Sequence, residues 1–502
     1  MTNLLEALQL VADPTVLLVV LLAGLYGVFI GSIPGLTATM ATALLVPFAF
    51  FLPPLPAIAS IVAMSAMAIY AGDIPGALVR MPGTPASAAY VEDAYALTRQ
   101  GSGHLALGIG LVASVIGGLF GSIVLITAAP LLAEIALNFT SFEYFWFAVL
   151  GLSTAVIISR GSPLRGAISM LIGLTIATIG LDPTMGHPRF TFDQTVLLGG
   201  ISFIPAMIGL FGLSEVLRNV MGPDLRLSHG GVRSGKRERR EVLQVAYRNK
   251  AHIARGGVIG TSVGLLPGAG GDIAAWVSYG VARNSSREED RFGKGSTEAI
   301  AASSASNNSG LASAWVPTLV LGIPGDTVTA ILIGVLYLQG LQPGPSLFRD
   351  DAALVTGIYI IFILSNLLLL VLGFLAIRAS GLMLRVPRNV LLPIIVVFCV
   401  LGSYAVDTNP FDVWVMLAMG LIGFWMERTG LPIAPVVLAI VLGPIVEANF
   451  MRSVIGSDGD LSLFLTRPIS ALLLIATVLL WAWPVLRAVR LRDRLSRSSP
   501  RT

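Results

Sequence analysis

Apolar runs of membrane length, interrupted by Pro-Gly, constrain this chain more than any other feature. The clearer of two such stretches runs from Gly256 to Pro345. It opens GVIGTSVGLLPGAGGDIAAWVSYG, passes through ASSASNNSG and closes WVPTLVLGIPGDTVTAILIGVLYLQGLQPGP. Proline removes an amide donor and interrupts the helical ladder, and in hydrocarbon each freed backbone group needs another partner. Irregular backbone at that depth is tolerated where protein buries it or where it lines a wet cavity. Pro267-Gly268 and Pro324-Gly325 therefore point to a binding site.

Composition puts these runs in a bilayer. Of 502 residues, 55% are hydrophobic and 12% charged, where a soluble domain carries about 25% charged residues. The expected fold is an all-α polytopic membrane protein of inverted repeats, with Pro-Gly-broken helices, re-entrant hairpins and roughly 12 membrane segments. The net charge of +4 sits in loops and the tail, so it reads as a topology signal and implies no nucleic-acid partner. Cys399, the one cysteine, lies in IIVVFCVLG and reads as a small apolar packing residue. The N-terminal MTNLLEALQLVADP lacks the basic start of a cleaved signal peptide.

Expected spans begin with Thr15 to Ile33, which stops at Pro34-Gly35. Ala38 to Leu52 and Ala57 to Ala71 follow, and they read as half-helices or hairpins because about 20 residues are needed to cross. The next spans are placed near Leu105 to Ala129, Phe145 to Ser159, Leu164 to Leu181 and Val196 to Leu217. This divides the chain into a first half (1–221, with the first repeat over about 24–103), a basic loop (222–255) and a second repeat (256–350). Scaffold helices (351–486) and a basic tail (487–502) complete it. The loop carries Arg226, Arg233, Lys236, Arg237, Arg239 and Arg240, so it and the tail belong in the cytoplasm, together with Arg160 and Arg385. The N-terminus is then outside.

The two broken regions share a register. Gly31-Ser32-Ile33-Pro34-Gly35 precedes Gly264-Leu265-Leu266-Pro267-Gly268 by 233 residues, and Met81-Pro82-Gly83 precedes Ile323-Pro324-Gly325 by 242. The loop 51–56 falls outside, whereas its counterpart 283–297 carries Arg283, Arg287, Arg291 and Lys294 and falls inside. Inverted repeats of this kind hold a carrier's site at midplane.

Half-helix N-termini attract anions through unpaired N–H groups and the helix dipole. The turns at Pro34-Gly35, Pro82-Gly83, Pro267-Gly268 and Pro324-Gly325 would present them. Thr37, Thr39, Thr84, Ser87, Asn307, Asn308, Thr327 and Thr329 can hydrogen-bond a carboxylate, or else fasten neighbouring helices. Arg80 is either a bidentate carboxylate clamp or the partner of Asp73 in an internal salt bridge. Asp73, Asp272 and Asp326 are candidates for ion coupling, and Asp272 and Asp326 also suit helix N-caps. Glu92, Asp93 and Arg99 read as a cytoplasmic hairpin loop. A membrane enzyme fits poorly: no Walker element occurs, no histidine lies within a span, and GAGGD has no Tyr-Asp partner for aspartyl proteolysis.

YAGDIPGALVRMPGTPASAA, LLPGAGGDIAAWVSYG, FGKGSTEAIAASSASNNSG and LGIPGDTVTA occur in order, with GSIPGLTATMA before them and HPRFTF and GLFGLSEVL between. On these motifs the chain resembles, over nearly its whole length, the large membrane subunit of tripartite tricarboxylate transporters. The resemblance implies a bacterial inner-membrane carrier that takes small carboxylates from a periplasmic solute-binding protein, with a small four-helix membrane subunit and a possible homodimer. It implies a sodium or proton gradient as the drive and no other cofactor. A passive anion channel and a carrier independent of a binding protein are the alternatives. The chain departs from the family pattern at Asp73 and Asp326, where a small polar residue is usual, at Arg80 (asparagine) and at Ser304 (glutamate).

Overall fold

The computed structural model describes residues 2–158, 162–182, 184–221, 236–383 and 388–482. Arg160, Arg226, Arg233, Arg385 and the basic tail from 487 lie outside the described residues. In chain order the helices are α1 (Thr2–Val11), α2 (Pro14–Gly31), α3 (Ala38–Phe50), α4 (Pro54–Ala71), α5 (Asp73–Val79), α6 (Val91–Arg99), α7 (Gly103–Ala136), α8 (Ser141–Ile158) and α9 (Pro163–Ala177). A hairpin of β1 (Gly180–Leu181) and β2 (Pro188–Arg189) follows. Then come α10 (Phe203–Met207), α11 (Ser214–Met221), α12 (Lys236–Arg248), α13 (Lys250–Gly264), α14 (Gly270–Ser285), α15 (Thr297–Leu321), α16 (Thr327–Leu338) and α17 (Pro345–Asp350). The last are α18 (Ala352–Met383), α19 (Arg388–Asp407), α20 (Pro410–Thr429), α21 (Ile433–Gly456), α22 (Leu463–Thr466) and α23 (Pro468–Ala482). Among the described residues, 7 segments are long and apolar enough to cross a membrane.

Two differences from the sequence reading have local causes. The piece expected at Ala57 to Ala71 continues through Gly72, which is helical (φ −62°), into α5, giving a 26-residue apolar segment, Pro54–Val79. Pro75, which has no N–H to donate, is the third residue of α5, just past that junction. The span expected to reach Leu181 ends at Ala177, because Gly180 takes φ 123° and starts the hairpin.

The chain forms two compact units, one of residues 1–137 and 202–425, the other of 138–201 and 426–502. In the first, α15 is the centre: every residue from Ala299 to Leu321 is buried. Ser296 caps its start by accepting from the Ala299 N–H, and Gly322, at φ 67°, ends it. From Ala299 to Ala314 it is mostly Ala and Ser and contributes little bulk, and most of its larger apolar side chains follow from Trp315 on. Burial comes from neighbours that approach its backbone. A β-carbon at Gly260 or Gly256 of α13 would overlap the carbonyls of Ser306 or Ala302, and one at Gly264 would lie 2.5 Å from that of Gly310. On α7, Gly121 meets the Ser309 carbonyl in the same way, at 2.6 Å. Small residues at four-residue spacing are how apolar helices gain close backbone contact where water supplies no driving force. Cys399 is fully buried and packs on Gly212 of the π-helical turn Ile208–Leu213 between α10 and α11.

In the second unit, α21 packs with α8 and α9. Gly173 of α9 sits on the Val436 carbonyl. Glu143, 1% exposed, accepts from Arg467 Nε at 2.8 Å and Ser470 Oγ at 2.9 Å. Phe142, Phe145, Phe450 and Phe464 form an aromatic cluster beside it. Asp182 shapes the hairpin turn by accepting from the N–H groups of Met185 (3.0 Å) and Thr184 (3.3 Å), which hold its carboxyl below the usual range.

Gly260→Leu is expected to destabilise the protein by about 3 kcal/mol through overpacking. Gly280→Ala, where a β-carbon meets nothing within 4 Å, should be neutral or stabilising by up to ~1 kcal/mol. Thermal unfolding of the purified protein in detergent checks the pair.

Candidate functional site

All four Pro-Gly turns expected to carry the site lie between helix ends, and within the first unit a chain of contacts joins them. The first follows α2: Gly35 takes φ 89°, and its carbonyl accepts from Asn219 Nδ2 at 3.3 Å. Thr37 then caps α3 by accepting from the Met40 N–H at 3.2 Å. In the first turn of α3, Thr39 Oγ1 lies 2.8 Å from Thr327 Oγ1 at the start of α16. The Pro324-Gly325 turn precedes that helix, and its Pro324 carbonyl accepts from the Gly268 N–H at 3.2 Å, so the two turns of the second stretch bond each other directly.

From Gly268 (φ 79°) the chain passes through Gly270 (φ 60°), where a β-carbon would lie 2.7 Å from Asp326 Cβ, into α14. Asp272, in the first turn of α14, accepts from the Ala86 N–H at 3.0 Å. Trp276, one turn on, donates to the Pro85 carbonyl at 3.1 Å. These bonds reach the segment after Pro82-Gly83, where Thr84 and Ser87 satisfy each other's N–H groups at 3.1 Å. The circuit closes at Gly83: its N–H donates to the Gly72 carbonyl at 3.0 Å, and a β-carbon on it would lie 3.1 Å from the Gly31 carbonyl, beside the first turn. Gly35, Thr37, Thr39, Gly268, Asp326 and Thr327 are all only partly buried. The helix starts at α3 and α16 thus gather donors and hydroxyls in one accessible place.

Asn307 and Asn308 are not in a break. Both lie in the interior of α15, 3% and 1% exposed, and only Asn307 borders the circuit, its Oδ1 lying 3.0 Å from where a Gly271 β-carbon would be. Neither side-chain atom of Asn308 has a hydrogen-bond partner among the described residues. Asp326 adopts the N-cap geometry: it accepts from the Thr329 N–H at 2.7 Å while Thr329 Oγ1 takes the Asp326 N–H at 2.8 Å, a reciprocal capping box.

The bridge expected between Arg80 and Asp73 is not made. Arg80 is the left-handed residue (φ 58°) that ends α5; its side chain is 59% exposed and pairs with Glu92 at 2.9 Å. Asp73 begins the same helix on its buried side and accepts from Tyr90 OH at 2.6 Å. The stretch expected as a cytoplasmic loop is also different: Glu92, Asp93 and Arg99 belong to α6. Asp93 is fully buried and accepts from the N–H groups of Gly293 (2.8 Å), Gly295 (3.0 Å) and Ser296 (2.8 Å), and from Tyr279 OH (3.1 Å). Burial raises its carboxyl above the usual range, and the backbone donors pull it back. Nothing in VEDAYALTR marks that role; the positive φ of Gly293 and Gly295, which lets the loop wrap a carboxylate, is the signal FGKGS carried.

Asp93→Ala leaves these donors facing a cavity and is expected to destabilise the protein by about 3 kcal/mol, with Asp93→Asn intermediate, because hydrogen bonds to a charged group contribute more than neutral ones. Thermal unfolding and protease sensitivity of the segment before α15 read the effect.

Residues 17–438 match the model of the tripartite tricarboxylate transporter TctA family. An uncharacterized 52.8 kDa protein from the TAR-I ttuC′ 3′ region of Agrobacterium vitis is 34% identical over 475 residues, 93% of each chain. A second uncharacterized protein, from the TAR-II ttuC′ 3′ region of the same organism, is 38% identical over 234 residues, 46% of this chain and 97% of that protein. No solved structure matches. A match over this much of the chain, to a family of transporters, identifies a polytopic membrane protein and a component of a tripartite transport system: the chain belongs to the tripartite tricarboxylate transporter TctA family.

Proposed function

We propose that this protein carries small di- or tricarboxylates across the bacterial inner membrane, driven by a sodium or proton gradient, and receives them from a periplasmic solute-binding protein. A small membrane subunit completes the carrier, and the N-terminus is periplasmic with the C-terminus cytoplasmic. Family membership supports the substrate class. The observation that carries the reading is the closed circuit of four Pro-Gly turns, which puts partial positive charge from the starts of α3 and α16 beside Thr37, Thr39 and Thr327 and ties Asp272 of α14 to the segment after Pro82-Gly83.

Repeated contacts support the inverted-repeat architecture. Gly27 and Gly31 of α2 abut the carbonyls of Met64 and Ala68 in α4, while Gly260 and Gly264 of α13 abut those of Ser306 and Gly310 in α15. The glycines are related by 233 residues and the carbonyls by 242, the registers already found between the Pro-Gly turns. The same helix pair is thus built twice. The crossed contacts match as well: Thr39 reaches Thr327, and Asp272, 233 residues beyond Thr39, reaches Ala86, close to the counterpart of Thr327. Such a pair of units, each reaching into the other's broken segment, suits alternating access around a shared site.

In the transport cycle, carboxylate oxygens accept from backbone N–H groups at the helix starts and from the threonine hydroxyls. The coupling cation is held by Asp272, with Asp73 and Asp326 as further acidic positions, so the negative substrate and positive ion offset each other in a poorly solvated place. Arg80 can act as a clamp only by leaving Glu92.

Reconstitution with the partner subunits and candidate binding proteins, followed by uptake of labelled di- and tricarboxylates with and without a sodium or pH gradient, tests this. Uphill uptake that requires one gradient is expected. Gradient-independent, strictly downhill flux replaces the carrier with a passive channel. Asp272→Ala is expected to lower uptake by roughly tenfold or more, equal to at least about 1.4 kcal/mol, and Arg80→Ala to do so if Arg80 clamps substrate; normal uptake removes either assignment.

A further inference from the structure

The second unit holds a cavity of about 350 Å³, within the range of small-molecule sites, and the transport reading makes no use of it. It has two unlike ends. At one, Arg189 of β2 pairs in a fork with Glu447 of α21, Nη1 to Oε1 at 2.5 Å and Nη2 to Oε2 at 3.0 Å. At the other lie Ile176 and Ala177, from the last turn of α9, and Ile440 and Pro444 of α21.

Two features of the polar end select a ligand. Glu447 occupies both terminal nitrogens of the guanidinium, while Nε is buried and has no hydrogen-bond partner among the described residues. A buried donor left unmade is unfavourable, so the Nε–H calls for an acceptor oxygen. Glu447 also cancels the charge of Arg189. A free tricarboxylate would bring several negative charges against that carboxylate, whereas one phosphodiester or ester oxygen would not. The apolar end calls for hydrocarbon. The cavity also lies where the apolar α9 gives way to the β1–β2 hairpin, and such a junction suits the boundary between headgroups and acyl chains.

We propose that this cavity is a phospholipid site, with a phosphate or ester oxygen on Arg189 Nε and the start of an acyl chain against Ile176, Ile440 and Pro444. The lipid fastens the β1–β2 hairpin to α21 at the edge of the hydrocarbon and is part of the folded unit.

The test uses the full-length protein purified in detergent, with native mass spectrometry for retained lipid and thermal unfolding with added phosphatidylglycerol or inorganic phosphate. The unsubstituted protein should retain phospholipid and be stabilised by phosphatidylglycerol, but not by inorganic phosphate. Ile440→Trp fills the apolar end and leaves the ion pair intact; Arg189→Lys keeps a cation for Glu447 but loses the Nε–H. Each is expected to retain roughly tenfold less lipid, equal to about 1.4 kcal/mol of binding. Equal retention in all three proteins, or equal stabilisation by inorganic phosphate, overturns the proposal.

Discussion

Everything in the first unit depends on backbone meeting backbone. Between Ala299 and Ala314, α15 is largely alanine and serine and has little apolar bulk to drive burial, and in lipid the hydrophobic effect does not press helices together. What holds it is close approach: glycines of α7 and α13 bring their helices down onto its carbonyls, so that dispersion and weak C–H···O contacts act over its length. Bulk at these positions would lever the helices apart, and the turns at their ends would move with them.

Those turns follow from the same constraint. A chain broken in hydrocarbon must find partners for the groups that its helices release. Here the breaks satisfy one another in part: Gly268 donates to Pro324, Thr39 meets Thr327, and Asp272 takes the Ala86 N–H. Each break is thereby held by a segment distant in sequence, and groups that remain at the helix starts are available to a ligand. Structural need and the proposed binding capacity come from the same residues, so Asp326 is a helix cap and also a member of the proposed site.

Sequence and structure part company where a role depends on direction. Arg80 and Asp73, seven residues apart in a polar-looking segment, suggest a pair. The left-handed turn at Arg80 sends its side chain outward to Glu92, and Tyr90 takes the acid instead. Asn307 and Asn308 share a motif but face different neighbours, because adjacent residues on a helix point about 100° apart. Asp93 looked like an exposed loop residue and is a buried anchor for the loop before α15, since its donors come from residues about 200 positions away.

By itself the sequence determined the helical membrane class, the positions of the four breaks and the registers that pair them, because hydropathy, proline and glycine act locally and leave their marks in order along the chain. It also carried the motifs by which the family is recognised. Only the tertiary structure decided which breaks bond to which, which of two adjacent asparagines borders the turns, where Arg80 and Asp93 find partners, and that a hairpin and α21 help to line a cavity. Those outcomes depend on side-chain direction and on contacts between residues hundreds of positions apart, which no local pattern specifies.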